Sequence, residues 1–422
     1  MEKSQDKTIL VTADGIPLKK SLARAHRRSK IVAFMMVFPL LFFIMIGFIV
    51  PIADMLFLSV DNSIVNRILP KTVESLKNWD PYSNELPDEA VFSAMVDDIK
   101  KAKKAREHTK IGTRLNYESS GFASLFRKSG RKVQKIDKPP YKEALIKSDK
   151  RWGKISTWQV IKQNSHVYTD GYYLAAFDYK RKFADGKVES LPEKDSVYIK
   201  LFLRTLLLSS LITFLTFVIA FPVSYMLAKV TTRISNILII FVLLPFWTSL
   251  LVRTTSWIAL LQQEGVINDF LILVGIISED GRLAMIHNAT GTVIAMTHIL
   301  LPFMILPLFS VMKTIPKSYV RAAISLGAHP WVAFWRIYFP NTLPGIGAGS
   351  ILVFILAIGY YITPALVGGS SGTFISNRIA YHISNSLNWG LGSAIGVILL
   401  GVVLLLFILY DRTVGIKNMK LG

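Results

Sequence analysis

The residues of this chain whose types and spacing could do chemistry gather in one stretch, Pro316–Gly345, which reads PKSYVRAAISLGAHPWVAFWRIYFPNTLPG. Lys317, Arg321, His329 and Arg336 stand there between two long apolar segments. They carry charge and ring surface but no bond-making set, so the chemistry they suit is the gripping of another surface. The rest of the chain is equally bare of catalysis. No GxxxxGK[ST] occurs, and Gly368, Gly369 and Gly372 lack the Lys-Ser/Thr that would complete a phosphate cradle. The seven histidines are scattered without ligand spacing, and there are no cysteines, which excludes disulfides and thiolate metal sites. Nothing resembles a nucleophile with its base. The expectation is a chain that is not an enzyme, with no catalytic, cofactor-binding or metal residue of its own.

The stretch must be held as two short helices around a fixed corner. Pro316 stands at the start of the first, where a missing N–H costs little, and Ser318–Leu326 continues with good helix formers. Gly327 supplies the left-handed residue that ends a helix. His329, before a proline, is pushed to extended geometry, and Pro330 restarts the chain at a first helical position. The second helix is expected from about Pro330 to Phe339, stopping at Pro340.

Ala322-Ala323, Ser325-Leu326-Gly327-Ala328, Phe334, Arg336-Ile337, Pro340 and Leu343-Pro344-Gly345 together resemble the EAA loop of ABC-importer permeases. In that family the loop forms a coupling helix that docks into a groove on a separate ATPase. The resemblance implies that Arg321, Ala322, Ala323, Ser325, Leu326, Gly327, Ala328, His329 and Phe334 couple to such a subunit. One position departs: Arg321 stands where the family usually has Glu. LLPFWTSLLVRT at 243–254, GVINDFLILVGII at 265–277 and ILLPFMILPLFS at 299–310 are similar to permeases of the spermidine/putrescine type. The resemblance covers roughly 31–56 and 198–412. It implies the six-helix fold of type I ABC importers, two ATPase copies that bind ATP and Mg, a second homologous permease or a second copy of this chain, and a periplasmic substrate-binding protein.

Composition places these elements in a bilayer. Half of the 422 residues are hydrophobic (51%), and runs of about 20 apolar residues recur, long enough to cross a hydrocarbon core of ~30 Å. Spans are expected at Ile31–Ile52, Leu201–Ala228, Ile234–Leu251, Thr292–Val311, Gly347–Tyr361 and Leu391–Tyr410. The formal charge of +21 would suggest nucleic acid in a soluble protein, but no aromatic-plus-glycine RNA signature accompanies it. The basic residues instead follow the positive-inside pattern. Six crossings put the basic segment 1–30, the turn with Lys229 and Arg233, the coupling loop 313–344 and the tail 413–422 (Lys417, Lys420) on one face, read as cytoplasmic. This describes an all-α polytopic membrane protein, with a first helix over 31–56 and a five-helix core over 198–412; the resemblance implies that the membrane is the bacterial inner membrane.

Residues 57–197 differ in kind. They are charged and aromatic, with IKKAKKAREHTK at 99–110 and the strand-like VYTDGYYLAAFDY at 167–179. One crossing after a cytoplasmic start makes them an extracytoplasmic insertion, either a small α/β domain or a partly ordered cap. The segment 253–288 is expected outside as interfacial or re-entrant helix at the mouth.

A solute path is expected where helices are broken near the midplane, with aromatic faces or acids to meet a cation. Trp247, Trp257, Glu264, Asp269, Tyr360 and Tyr361 fit that description; the interfacial belt is the other natural place for the Trp and Tyr. The substrate read from the resemblance is a polyamine such as spermidine or putrescine. An amino-acid derivative, an opine, a metal or an oxyanion are alternatives. From other classes come a membrane-anchored ligand sensor and an ion channel, the latter without a filter signature.

Overall fold

The computed structural model describes residues 18–183 and 185–414. The expected cytoplasmic segments at 1–17 and 415–422, with Lys417 and Lys420, lie outside the described residues. The chain divides between Phe57 and Leu58 into two bodies. The first is one long helix, Leu18–Ile44, running through a π-turn at Met45–Ile49 into Val50–Leu58. Ser29–Leu58 is long and apolar enough to cross a membrane, and its side chains are exposed all round within its own body. A helix apolar on every face suits lipid or other helices.

The second body contains three clusters of buried apolar residues, one within the insertion, one among the spans and one where the two meet. Nearly all the regular structure of residues 58–197 is helix, which corrects the expectation of an α/β insertion. Their only strands among the described residues are a three-residue hairpin pair, Tyr179–Arg181 against Val188–Ser190. VYTDGYYLAAFDY becomes one bridge, Asp61 to Tyr168, and a short helix, Gly171–Ala176. Its aromatic β-propensity yields to packing, because a helix puts Tyr172 and Ala176 on one face against Leu201, Ile375 and Leu391. The insertion's own core is built on rings. Phe126 meets Trp152 edge-on at 5.6 Å, Trp152 lies 5.4 Å from Trp158, and Phe92 lies 4.6 Å from Trp158. Both buried indole N–H groups are satisfied, by Ser129 Oγ at 2.8 Å and the Trp152 carbonyl at 2.9 Å. The insertion therefore has a packed core of its own.

The second core joins the helices Tyr198–Lys229, Ala289–Thr314 and Phe339–Gly359. Small residues bring them together: a Cβ on Gly349 would sit 2.6 Å from Met304 Sδ, and one on Gly345 3.0 Å from Val311. Three expected spans fall inside observed ones, at Tyr198–Lys229, Ala289–Thr314 and Trp389–Arg412.

Two depart. Ile234–Leu251 is not one straight span: Thr232–Trp247 and Leu250–Leu261 meet at 94°. Pro245 opens a 3-10 turn at Leu244–Trp247, and Ser249 caps the new helix by accepting from Val252 N–H at 3.1 Å. The elbow's second helix does not stop at Pro340. It runs on as the fifth span, Pro330–Gly359. A π-turn at Phe334–Tyr338 widens the helix just ahead of Pro340, easing the clash with the carbonyl four residues back that would end a regular helix.

The insertion is bonded to the helical core. Asp178 accepts from Val197, Tyr198 and Ile199 N–H at 2.9, 3.0 and 2.8 Å, so a carboxylate from the insertion caps the start of the second span. Tyr172 packs on Gly390 at the head of the sixth, where any Cβ would meet its ring at 2.3 Å. Arg114 locks the joint from below, its guanidinium 4.9 Å from the Tyr172 ring and bonded to Asn62, Asn164 and Glu118.

Candidate functional site

The elbow is built as its residues dictate. Its first helix is Lys317–Ser325. Gly327, at φ +89°, closes it: Gly327 N–H donates to Ile324 O at 2.9 Å and Ala328 N–H to Ala323 O at 3.0 Å, the two crossed bonds of a Schellman corner. His329 is extended (φ −62°, ψ 141°), and its Nδ1 accepts from Trp331 N–H at 3.3 Å, capping the helix that Pro330 opens. Nothing lies within 4 Å of a Cβ built on Gly327, so only its backbone angle demands glycine there.

The corner presents an apolar tip. Leu326 is 89% exposed and Trp331 66%, with Tyr319 also exposed. Solvent-facing apolar side chains gathered at one bend mark a contact surface. Behind them Phe334 anchors the corner to the second span, its ring 5.7 Å from Tyr225 and 6.3 Å from Phe221, with Tyr338 stacked at 5.7 Å. Phe221, Tyr225 and Tyr338 were not singled out in the sequence. The aromatic spacing of WVAFWRIYF was the signal for Tyr338, readable once the second helix is known to continue; Phe221 and Tyr225 stand in the second span with no comparable pattern. Lys317, Val320, Arg321 and Ile324 lie at helical spacing and line a cleft of about 620 Å³ between the elbow and the ends of the second and fourth spans. Arg321 thus lines the cleft, while Leu326 and Trp331 form the exposed tip.

The mouth residues are brought together only in part. Trp257 donates from Nε1 to His298 Nδ1 at 3.2 Å, the rings 5.2 Å apart. Arg253 lies within electrostatic reach of His298 and Tyr360, and its Nε is buried with no hydrogen-bond partner among the described residues. Neither Arg253 nor His298 was singled out in the sequence; a lone Arg in an apolar run was the available signal. Tyr360 and Tyr361 close the fifth span through their carbonyls, which accept from Ser376 Oγ at 2.6 Å and Asn377 Nδ2 at 2.8 Å. Asp269 is bound to Arg282 at 2.8 Å, an ion pair that ties the helix Val266–Leu273 to the loop after it. Trp247 and Glu264 are exposed.

Residues 205–414 match the family model of the binding-protein-dependent transport system inner membrane component. The chain belongs to this family, as a multi-pass inner-membrane permease of the ABC-importer kind. It is 32% identical over 228 residues to the spermidine/putrescine transport system permease protein PotB of Salmonella typhimurium, an alignment covering 54% of this chain and 79% of that one. To PotB of Escherichia coli it is 32% identical over 226 residues, covering 54% and 82%. Among solved structures, a bacterial ABC transporter involved in the import of alginate aligns at TM-score 0.45 and 18% identity, over 53% of this chain and 80% of that one. The family match leaves the first helix and the insertion outside it.

Proposed function

We propose that this chain is the pore-forming subunit of an ATP-driven importer that moves a polyamine such as spermidine or putrescine. One observation carries the mechanical part: the exposed corner at Leu326–Trp331 opens directly into the fifth span, so force at the tip reaches a membrane helix without a joint of coil. The relatives named as spermidine/putrescine permeases support the substrate.

In this reading two copies of a separate ATPase bind ATP and Mg and hold the tip in their grooves. A second permease, related or identical, completes the pore in the bilayer, and a periplasmic binding protein delivers the solute. Both termini and the elbow face the cytoplasm, and the insertion faces outward. ATP binding draws the ATPases together and moves the tip, and the fifth span carries that motion to Tyr360 at the mouth. Nucleic acid has no part in it.

The test is uptake of labelled spermidine and putrescine into vesicles holding the assembled transporter. Uptake that requires ATP and the binding protein, and that unlabelled polyamine but not an amino acid or oxyanion suppresses, is the expected result. ATP-independent flux, or purification of the chain with no ATPase bound, would remove the importer reading. Competition by another solute class would remove the polyamine alone.

A further inference from the structure

The cleft beneath the elbow has a chemistry that docking to an ATPase does not explain. Four cations rim it: Lys229 at the end of the second span, Lys313 in the last turn of the fourth, and Lys317 and Arg321 on the first elbow helix. No acidic residue lines the cleft, and none of the four has an ion-pair partner among the described residues. The Lys229 ammonium lies over the Tyr225 ring at 4.0 Å and that of Lys313 over Phe309 at 5.3 Å, so each rests on an aromatic face and not on a carboxylate. Like charges gathered around one cleft repel one another, and a bound anion would relieve that repulsion.

Two further features say which anion. Lys229 and Lys313 close membrane-spanning helices, which sets the cleft at the depth of lipid headgroups. Below the rim the walls are apolar, with Met312, Ile315, Val320 and Ile324. A free phosphate has no use for such walls, whereas the glycerol and first methylenes of a lipid do. We infer that this cleft binds the phosphate headgroup of an anionic phospholipid from the leaflet beside it. The lipid bridges the ends of the second and fourth spans to the first elbow helix and steadies the lever. The inference rests on the membrane-permease reading and not on the solute carried.

The test uses the assembled transporter in nanodiscs of zwitterionic lipid with or without phosphatidylglycerol, read by native mass spectrometry and by ATPase rate. The wild type is expected to retain phosphatidylglycerol, and inorganic phosphate should not displace it. Lys229→Gln with Lys313→Gln should lower that retention about tenfold or more, while Lys229→Arg with Lys313→Arg restores it, which separates lost charge from lost fold. Equal retention in all three would overturn the proposal, as would displacement by phosphate alone. Loss of the lipid whenever the ATPase docks would also overturn it, assigning the cleft to an acidic group of that subunit. Uptake and ATPase co-purification report separately on the importer reading.

Discussion

At the scale of single residues, the chain separates groups that set backbone geometry from groups that touch something. Gly327 belongs to the first kind. Its φ of +89° is forbidden ground for a branched side chain, so Gly327→Val should cost roughly 1–2 kcal/mol locally and reshape the corner. The expected outcome is a protein that still inserts in the membrane while solute-stimulated ATP hydrolysis and uptake collapse together. Full activity in that variant would detach the corner from coupling. His382 is the residue that pH can reach. It lies on the helix Ile375–Ser384, between the fifth and sixth spans, bonded to Tyr198 Oη at 2.8 Å and Ser386 Oγ at 3.0 Å. Burial, with Arg378 adding to it, pushes its pKa down to about 4. The folded protein therefore binds fewer protons here than the unfolded chain between pH 4 and about 6.5. Stability from this site is complete above pH 6.5 and falls as pH drops toward 4. His382→Gln should flatten that part of the melting-temperature profile; an unchanged slope would exclude His382 as its source.

At the scale of elements, local rules were legible wherever one residue sets the backbone. Gly327, His329 and Pro330 told the corner almost to the bond, because each acts through its own angles. Pro340 and Pro245 misled for the same reason inverted. A proline states that a regular helix cannot pass, but not whether the chain answers with a π-turn, as at Phe334–Tyr338, or with a new helix at 94°. Neighbouring spans decide that, and they are distant in sequence. The strand-like stretch 167–179 fails similarly, since Tyr172 is helical to meet Gly390, more than two hundred residues away. That contact is open to test. Gly390→Leu drives a side chain into the Tyr172 ring, an overpacking worth roughly 1–3 kcal/mol. Limited proteolysis should then cut near Ser386–Asn388 faster, while the insertion's Trp152–Trp158 core stays protected. Unchanged cleavage would mean that the joint has room to adjust.

At the scale of the whole molecule, the long apolar helices were readable because hydrophobic run length is a global signal, and the family was readable from the motif residues of the elbow and the spans beside it. The surroundings of the mouth residues were less legible: Asp269 is held by Arg282, and Trp257 is paired with His298, a residue the sequence did not draw attention to. In the proposed two-permease assembly, each sequence would hold only half of the pore lining. Orientation can be measured directly, since the chain has no cysteine to remove first. Lys138→Cys, exposed in the insertion, should react with an impermeant maleimide on intact spheroplasts. Ser325→Cys, on the elbow, should react only after permeabilisation. The opposite pattern would invert the topology and with it the importer reading.

The unbroken run from Pro330 to Gly359 also constrains how this chain can vary in evolution. Each residue added to a helix turns everything beyond it by about 100°. A single codon gained or lost between Trp331 and Gly359 would leave the exposed tip in place while swinging Tyr360 to another side of the helix axis. That helix should be intolerant of any change of length, whereas the loop around 275–287 should accept several. Deep insertion–deletion scanning of the gene would draw this contrast as a sharp edge at the corner.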